Sequence, residues 1–69
     1  MLKLTFELDQ ETDGRWIAEV PELNGALAYG STREEAIARV KALALRVVAD
    51  QLEHGETDAN LDDISFAAA

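Results

Sequence analysis

Residue types that carry chemistry are sparse in this chain of 69 residues. It has one histidine, His54, and no cysteine, which removes cysteine nucleophiles, thiolate zinc sites, iron–sulfur clusters and disulfides together. A catalytic histidine needs a nucleophile and an orienting carboxylate. His54 is instead flanked by Glu53, Gly55 and Glu56, while Ser31 suits a helix cap and Ser65 lies in the tail. Its expected role is structural, a positive group at a helix C-terminus. The spacing Asp9-x-Glu11-x-Asp13-Gly14 matches the first half of a calcium-binding loop, but the position that requires a bidentate glutamate falls on Val20. An acidic hairpin turn accounts for it.

Other chemistries fail on spacing. Two-metal phosphoryl chemistry needs carboxylates converging on paired ions roughly 3.5–4 Å apart, and nothing in the pattern around Glu7 and Asp9 specifies such a cluster. Gly25 and Gly30 are too far apart for a phosphate-binding loop, and no lysine follows them. Trp16 and Tyr29 have faces on which bases could stack, yet only Lys3 and Arg15 accompany them on the strands, so packing at the sheet or at an interface suits them better. No catalytic residue, cofactor or metal is expected.

The elements that position these residues follow from periodicity. Residues 2–9 alternate strictly, with Leu2, Leu4, Phe6 and Leu8 on one face and polar groups on the other, the signature of a half-buried strand. Asp13-Gly14 signals a turn. A second strand over 15–20 places Trp16, Ala18 and Val20 on one side and Arg15, Ile17 and Glu19 on the other. Pro21 through Gly25 breaks the pattern, and 26–29 supplies a third strand. Ser31 or Thr32, each with a glutamate three residues on, can open a capping box. The helix then runs to His54, where Gly55 can take a left-handed C′ conformation.

Across that helix, Ala36, Ile37, Val40, Leu43, Ala44, Val47 and Val48 form the stripe expected on the sheet. A second apolar sector, Ala38, Ala42, Leu45, Ala49 and Leu52, is wider than one sheet contact requires, and is read as a self-association face. In the tail, 56–69, Ile64 and Phe66 alternate as in a short edge strand over 64–66 that returns to the sheet or pairs with another subunit. The expected architecture is α+β in the order β-β-β-α-β. A three-stranded antiparallel sheet, with that short fourth strand, packs on one long helix in a single domain.

Composition bounds the function. Twelve of the 33 hydrophobic residues are alanine, so the core is thin and a partner subunit is the natural staple, as a dimer or tetramer. The net charge is −8, and the helical span 31–54 is neutral, with four acids and four bases. The first 30 residues and the tail carry the whole excess. This opposes binding to nucleic acid or an anionic membrane and favours a basic protein partner. The sequence shows no long apolar run, so a soluble cytoplasmic protein is expected.

The run Gly14, Trp16, Ala18, Glu19, Pro21, Glu22, Leu23, Gly25, followed by Gly30, Thr32, Glu34, Glu35 and Ala36, resembles the HicB antitoxin family, including its small stand-alone members, over about four-fifths of the chain. Asn24 stands where that family commonly has proline, and Glu56-Thr-Asp-Ala59 replaces its proline-containing link. The resemblance implies a reduced ribonuclease-H-like fold without nuclease carboxylates. It also implies binding to a small basic toxin of the HicA family, an mRNA endoribonuclease, by direct occlusion of its active site. Family members that repress their own operon carry a C-terminal helix-turn-helix or ribbon-helix-helix domain, which these residues do not contain, so direct operator binding is not expected. Glu7, Asp9, Glu19 and Glu22, with Asp62 and Asp63, are the expected steering groups, and Trp16 and Tyr29 the expected anchors. The alternative is a stand-alone HicB-like interaction or ligand-binding domain with no toxin.

Overall fold

The computed structural model describes residues 1–57 and 61–69; Asp58 of the acidic tail and Ala59 of the link lie outside them. Strands β1 (Leu2–Gln10), β2 (Trp16–Glu19) and β3 (Leu27–Gly30) precede helix α1 (Arg33–Glu53), and β4 (Ile64–Ala68) follows it. They form one mixed sheet in the order β3-β2-β1-β4, antiparallel except that β4 runs parallel to β1. The fourth strand therefore returns to its own sheet, and at 64–68 it is longer than the 64–66 expected. Its alanines carry little strand propensity. The pairing depends on β1, whose Leu2, Leu4 and Phe6 partner Ile64, Phe66 and Ala68.

Turn chemistry explains the other boundaries. The β1–β2 hairpin closes where the Glu11 amide donates to the Arg15 carbonyl and Gly14, at φ 94°, donates to Glu11. The third strand begins at Leu27, one residue later than the sequence suggests. Ala26 is held in the loop by donating to Leu23 and accepting from Val20, and Val20, Leu23 and Ala26 are all buried there. Glu22 completes the ladder past the end of β2: its carboxylate accepts the Thr5 amide at 3.1 and 3.2 Å and the Thr5 hydroxyl at 2.6 Å.

Thr32 is the N-cap, accepting from the Glu35 amide, while the Glu35 carboxylate accepts from the Ser31 amide. At the other end Glu56 donates to Gln51 and Gly55 to Leu52, with Gly55 at φ 68°, a Schellman closure. The core lies between α1 and one face of the sheet, where Leu4, Phe6, Ala18 and Val20 meet Ala36, Val40, Ala44 and Val48. Gly30 lets the helix start close above β3, since a Cβ there would meet the Ala36 amide nitrogen and stand 3.0 Å from its Cα. The helix lies mainly over β3 and β2. Over β1 and β4, Lys41 reaches down with its ammonium 5.3 Å from the Phe6 ring centre and 5.7 Å from that of Phe66. No helix among the described residues is long and apolar enough to cross a membrane.

Candidate functional site

The sheet has one covered and one open face, because a single helix packs on it. Alternation sends Glu7 and Asp9 of β1, and Ile17 and Glu19 of β2, to the side away from α1. The strand register sets them in rows across the sheet. One row runs Asp9, Ile17, Tyr29; the next runs Glu7, Glu19, Leu27. Acids thus stand on β1 and β2, and an apolar strip on β2 and β3. Glu7, Asp9, Glu11, Ile17 and Glu19, with Leu8, line a shallow depression of about 350 Å³.

Glu7 and Glu19 are direct register partners, which puts two carboxylates on neighbouring strands with Cβ atoms roughly 5 Å apart, an arrangement that costs stability. No salt bridge involving either is formed among the described residues. The cations on this side, Lys3 and Arg15, form no ion pair with either carboxylate among the described residues, and Arg15 is held by Asp13 and Tyr29.

One cation already shows how a guanidinium fits nearby. Arg15 stacks over the Tyr29 ring, 4.8 Å from its centre, while its Nε donates to Asp13 at 2.8 Å. The Arg15 amide also donates to Asp13, and this bond, with the guanidinium, holds the Asp13 carboxyl below the usual carboxylate range. Asp13 is therefore engaged, and Asp9 accepts from the Gln10 amide. The half calcium motif folds as a hairpin turn.

The structure brings together only some of the expected contact residues. Glu7, Asp9, Glu19 and Tyr29 share the open face. Glu22 stands at its edge with its carboxylate on Thr5, whose hydroxyl and amide hold that group below its ordinary pKa. Trp16 is on the other side, partly buried against the core. Asp62 and Asp63 lie exposed beside the start of β1, where Leu2 donates to Asp63 at 2.8 Å. The five residue steps along β1 from Leu2 to Glu7 put them roughly 17 Å from the acidic depression.

Two contributors escaped the sequence reading, Glu11 and Ile17. Glu11 continues the odd-numbered polar face of β1 by one step past the strand. Ile17 is an apolar residue on the polar face of β2, and that mismatch is the signal.

His54 closes α1. Its Nδ1 stands 2.8 Å from the Asp50 carbonyl, to which it must donate, and 3.3 Å from the Asp50 carboxylate. Glu56 joins them, so that Asp50, His54 and Glu56 hold ligand-type atoms within 4.8 Å of one another. All three side chains are exposed, with no enclosing wall. No charged or polar residue is buried among the described residues. No family model matches this chain, and no curated protein or solved structure is significantly similar to it.

Proposed function

We propose that the open face of the sheet is the contact surface of an antitoxin-like protein, which binds a small basic HicA-type mRNA endoribonuclease in the cytoplasm and occludes its active site. The observation that carries this reading is the row pairing of Glu7 with Glu19, flanked by Asp9 and Glu11, around Ile17. Like charges in register are unfavourable in the free protein and are relieved when a partner supplies lysine or arginine. The adjoining strip of Leu27 and Tyr29, 40% and 39% exposed, gives such a partner apolar area to bury.

Support also comes from the residues that carry the HicB resemblance, because each has a defined place in the fold. Gly14 and Gly25 have positive φ, Gly30 admits the helix, Leu23 is buried, and Thr32 with Glu35 caps α1. On this reading the β-β-β-α-β order is a reduced ribonuclease-H-like unit. Occlusion requires no catalytic group, cofactor or metal from the inhibitor, and it assigns no role in binding nucleic acid.

The decisive experiment induces an adjacent small basic reading frame in cells, with and without this protein, and follows growth and mRNA integrity. Growth arrest and mRNA loss reversed by co-expression support the proposal. Toxicity that this chain does not relieve, or no toxicity, overturns it in favour of a stand-alone binding domain. With the purified pair, Glu7→Gln, Asp9→Asn and Glu19→Gln together should slow association by about tenfold and flatten its salt dependence. Asp62→Asn with Asp63→Asn should change it far less.

A further inference from the structure

The outward side of α1 carries a pattern that packing on the sheet does not use. Ala38, Ala42, Leu45, Ala49 and Leu52 recur at alternating steps of four and three, the a/d spacing of a coiled-coil seam. Ala36, Val40, Ala44 and Val48, which face the sheet, are fully buried, whereas all five residues of the seam are exposed, Leu45 at 46% and Leu52 at 41%. Their seam is turned well away from the sheet. The chain thus shows two apolar stripes on one helix and covers one.

Charge identifies what covers the other. The molecule carries −8, so two copies repel through almost any approach, yet residues 31–54 hold four acids and four bases. The helix is the surface on which a second copy meets no net charge. A basic partner has no reason to prefer this side, because the acids lie elsewhere.

We propose that the seam pairs with the same seam of a second copy, with the two helices antiparallel. In the a-to-d′ register the layers set an alanine against a leucine, Ala42 against the partner's Leu52 and Leu45 against the partner's Ala49, while Ala38 falls beyond the end of the partner's helix. Small against large fills each layer and lets the backbones approach closely. A parallel pair would set leucine on leucine at one level and alanine on alanine at another. It would also align the two helix dipoles and bring both acidic tails together, whereas the antiparallel pair, centred on residue 47 in this register, holds the two helix ends at Glu53 roughly 18 Å apart along the axis. Beside the seam, Arg39 of each copy falls near the partner's Glu53. Arg46 meets its own equivalent, with Asp50 one turn away on each chain.

The assembly is a four-layer stack, sheet, helix, helix, sheet. Both acidic open faces then point outward and remain free, so the dimer offers two equivalent contact surfaces to any basic partner. Two helices meeting along a strip ~10 Å wide hide on the order of 400 Å² per copy, small for a specific interface, which makes this a reversible dimer with Kd on the order of 10–100 μM.

Sedimentation equilibrium of the full chain across that concentration range tests the inference. A monomer–dimer equilibrium is expected, tightening as salt rises because salt screens the repulsion between two copies. Leu45→Glu, at an exposed site where circular dichroism should show the fold unchanged, should weaken it at least about tenfold. Because the chain has no cysteine, cross-linking reports the register directly. A mixture of Leu45→Cys and Ala49→Cys should oxidise preferentially to the mixed dimer, and Ile64→Cys, on the exposed edge strand, should not cross-link. A monomer at every concentration overturns the proposal. So does a dimer indifferent to Leu45→Glu, cross-linking through Ile64→Cys, or preferential Leu45–Leu45 cross-linking, which would mean parallel helices. This outcome is independent of the toxin reading, since partner binding and self-association are scored by different variants and respond oppositely to salt.

Discussion

The sheet presents two faces built from the same strands by alternate residues, and they obey different rules. Beneath α1, Leu4, Phe6, Ala18 and Val20 are at most 9% exposed and pack against four helix residues that are sealed completely. At alternate positions of the same strands, Glu7, Asp9 and Glu19 stand in solvent, two of them in direct register and, among the described residues, none with a cationic partner. The covered face is internally consistent, each side chain matched to its neighbours. Its opposite carries a conflict that the fold does not resolve. Natural sequences concentrate such local conflicts at sites of function, so the difference separates residues that make the fold from residues that use it.

The comparison breaks most visibly through the covered face. Leu4 is 1% exposed in the centre of β1, and Leu4→Ala should cost about 2–5 kcal/mol by lost transfer energy and the cavity left behind. For a domain with a core this thin, that approaches the whole stability, and urea denaturation should find the variant largely unfolded. A cost below about 1 kcal/mol would mean that this face is loosely packed and that the contrast is false.

The open face should respond with the opposite sign. Glu19→Gln removes one member of the Glu7–Glu19 pair, and the unfolding free energy from urea denaturation should rise by about 0.2–1 kcal/mol. The same variant should bind a basic partner more weakly. Were Glu19→Gln to destabilise the protein, the acidic rows would be part of the fold's support, and the functional reading of that face would lose its basis.

Most of the fold was legible because it is written in local periodicity. Apolar residues at every second position of β1, the glycines at the turns, the Thr32 cap and the helical stripe each report themselves within a few residues. The parallel partner of β1 was not, since Ile64 and Phe66 alone alternate and the alanines that extend β4 hold their place only by pairing with residues 62 positions earlier. The candidate site divides in the same way. Alternation sends Glu7, Asp9 and Glu19 to one side, but rows across the sheet depend on register, which fixes that Glu7 faces Glu19 and that Ile17 lies between Asp9 and Tyr29. Trp16 joined the expected contact residues on its aromatic character alone, although alternation puts it on the same side as the buried Ala18 and Val20. Asp62 and Asp63 joined them because charge summed along a chain ignores distance in space.

The smallest effect lies where the two faces end, at Glu22. Its carboxylate takes the Thr5 hydroxyl and amide just past the last residue of β2, and those bonds stabilise the ionised form, so its pKa in the folded protein is below the ordinary value. The unfolded chain, with no such donors, binds a proton at higher pH. The stabilisation is therefore fully present above the unfolded pKa and is lost as pH falls through the folded one. Glu22→Gln, which keeps an amide oxygen to accept from Thr5 but cannot ionise, isolates this contribution: the wild type should be more stable than the variant at about pH 7, and the gap should narrow as pH falls below the ordinary glutamate range. A gap unchanged across that range would mean that the Glu22 charge contributes nothing at the sheet end and leave the carboxylate free to meet a partner.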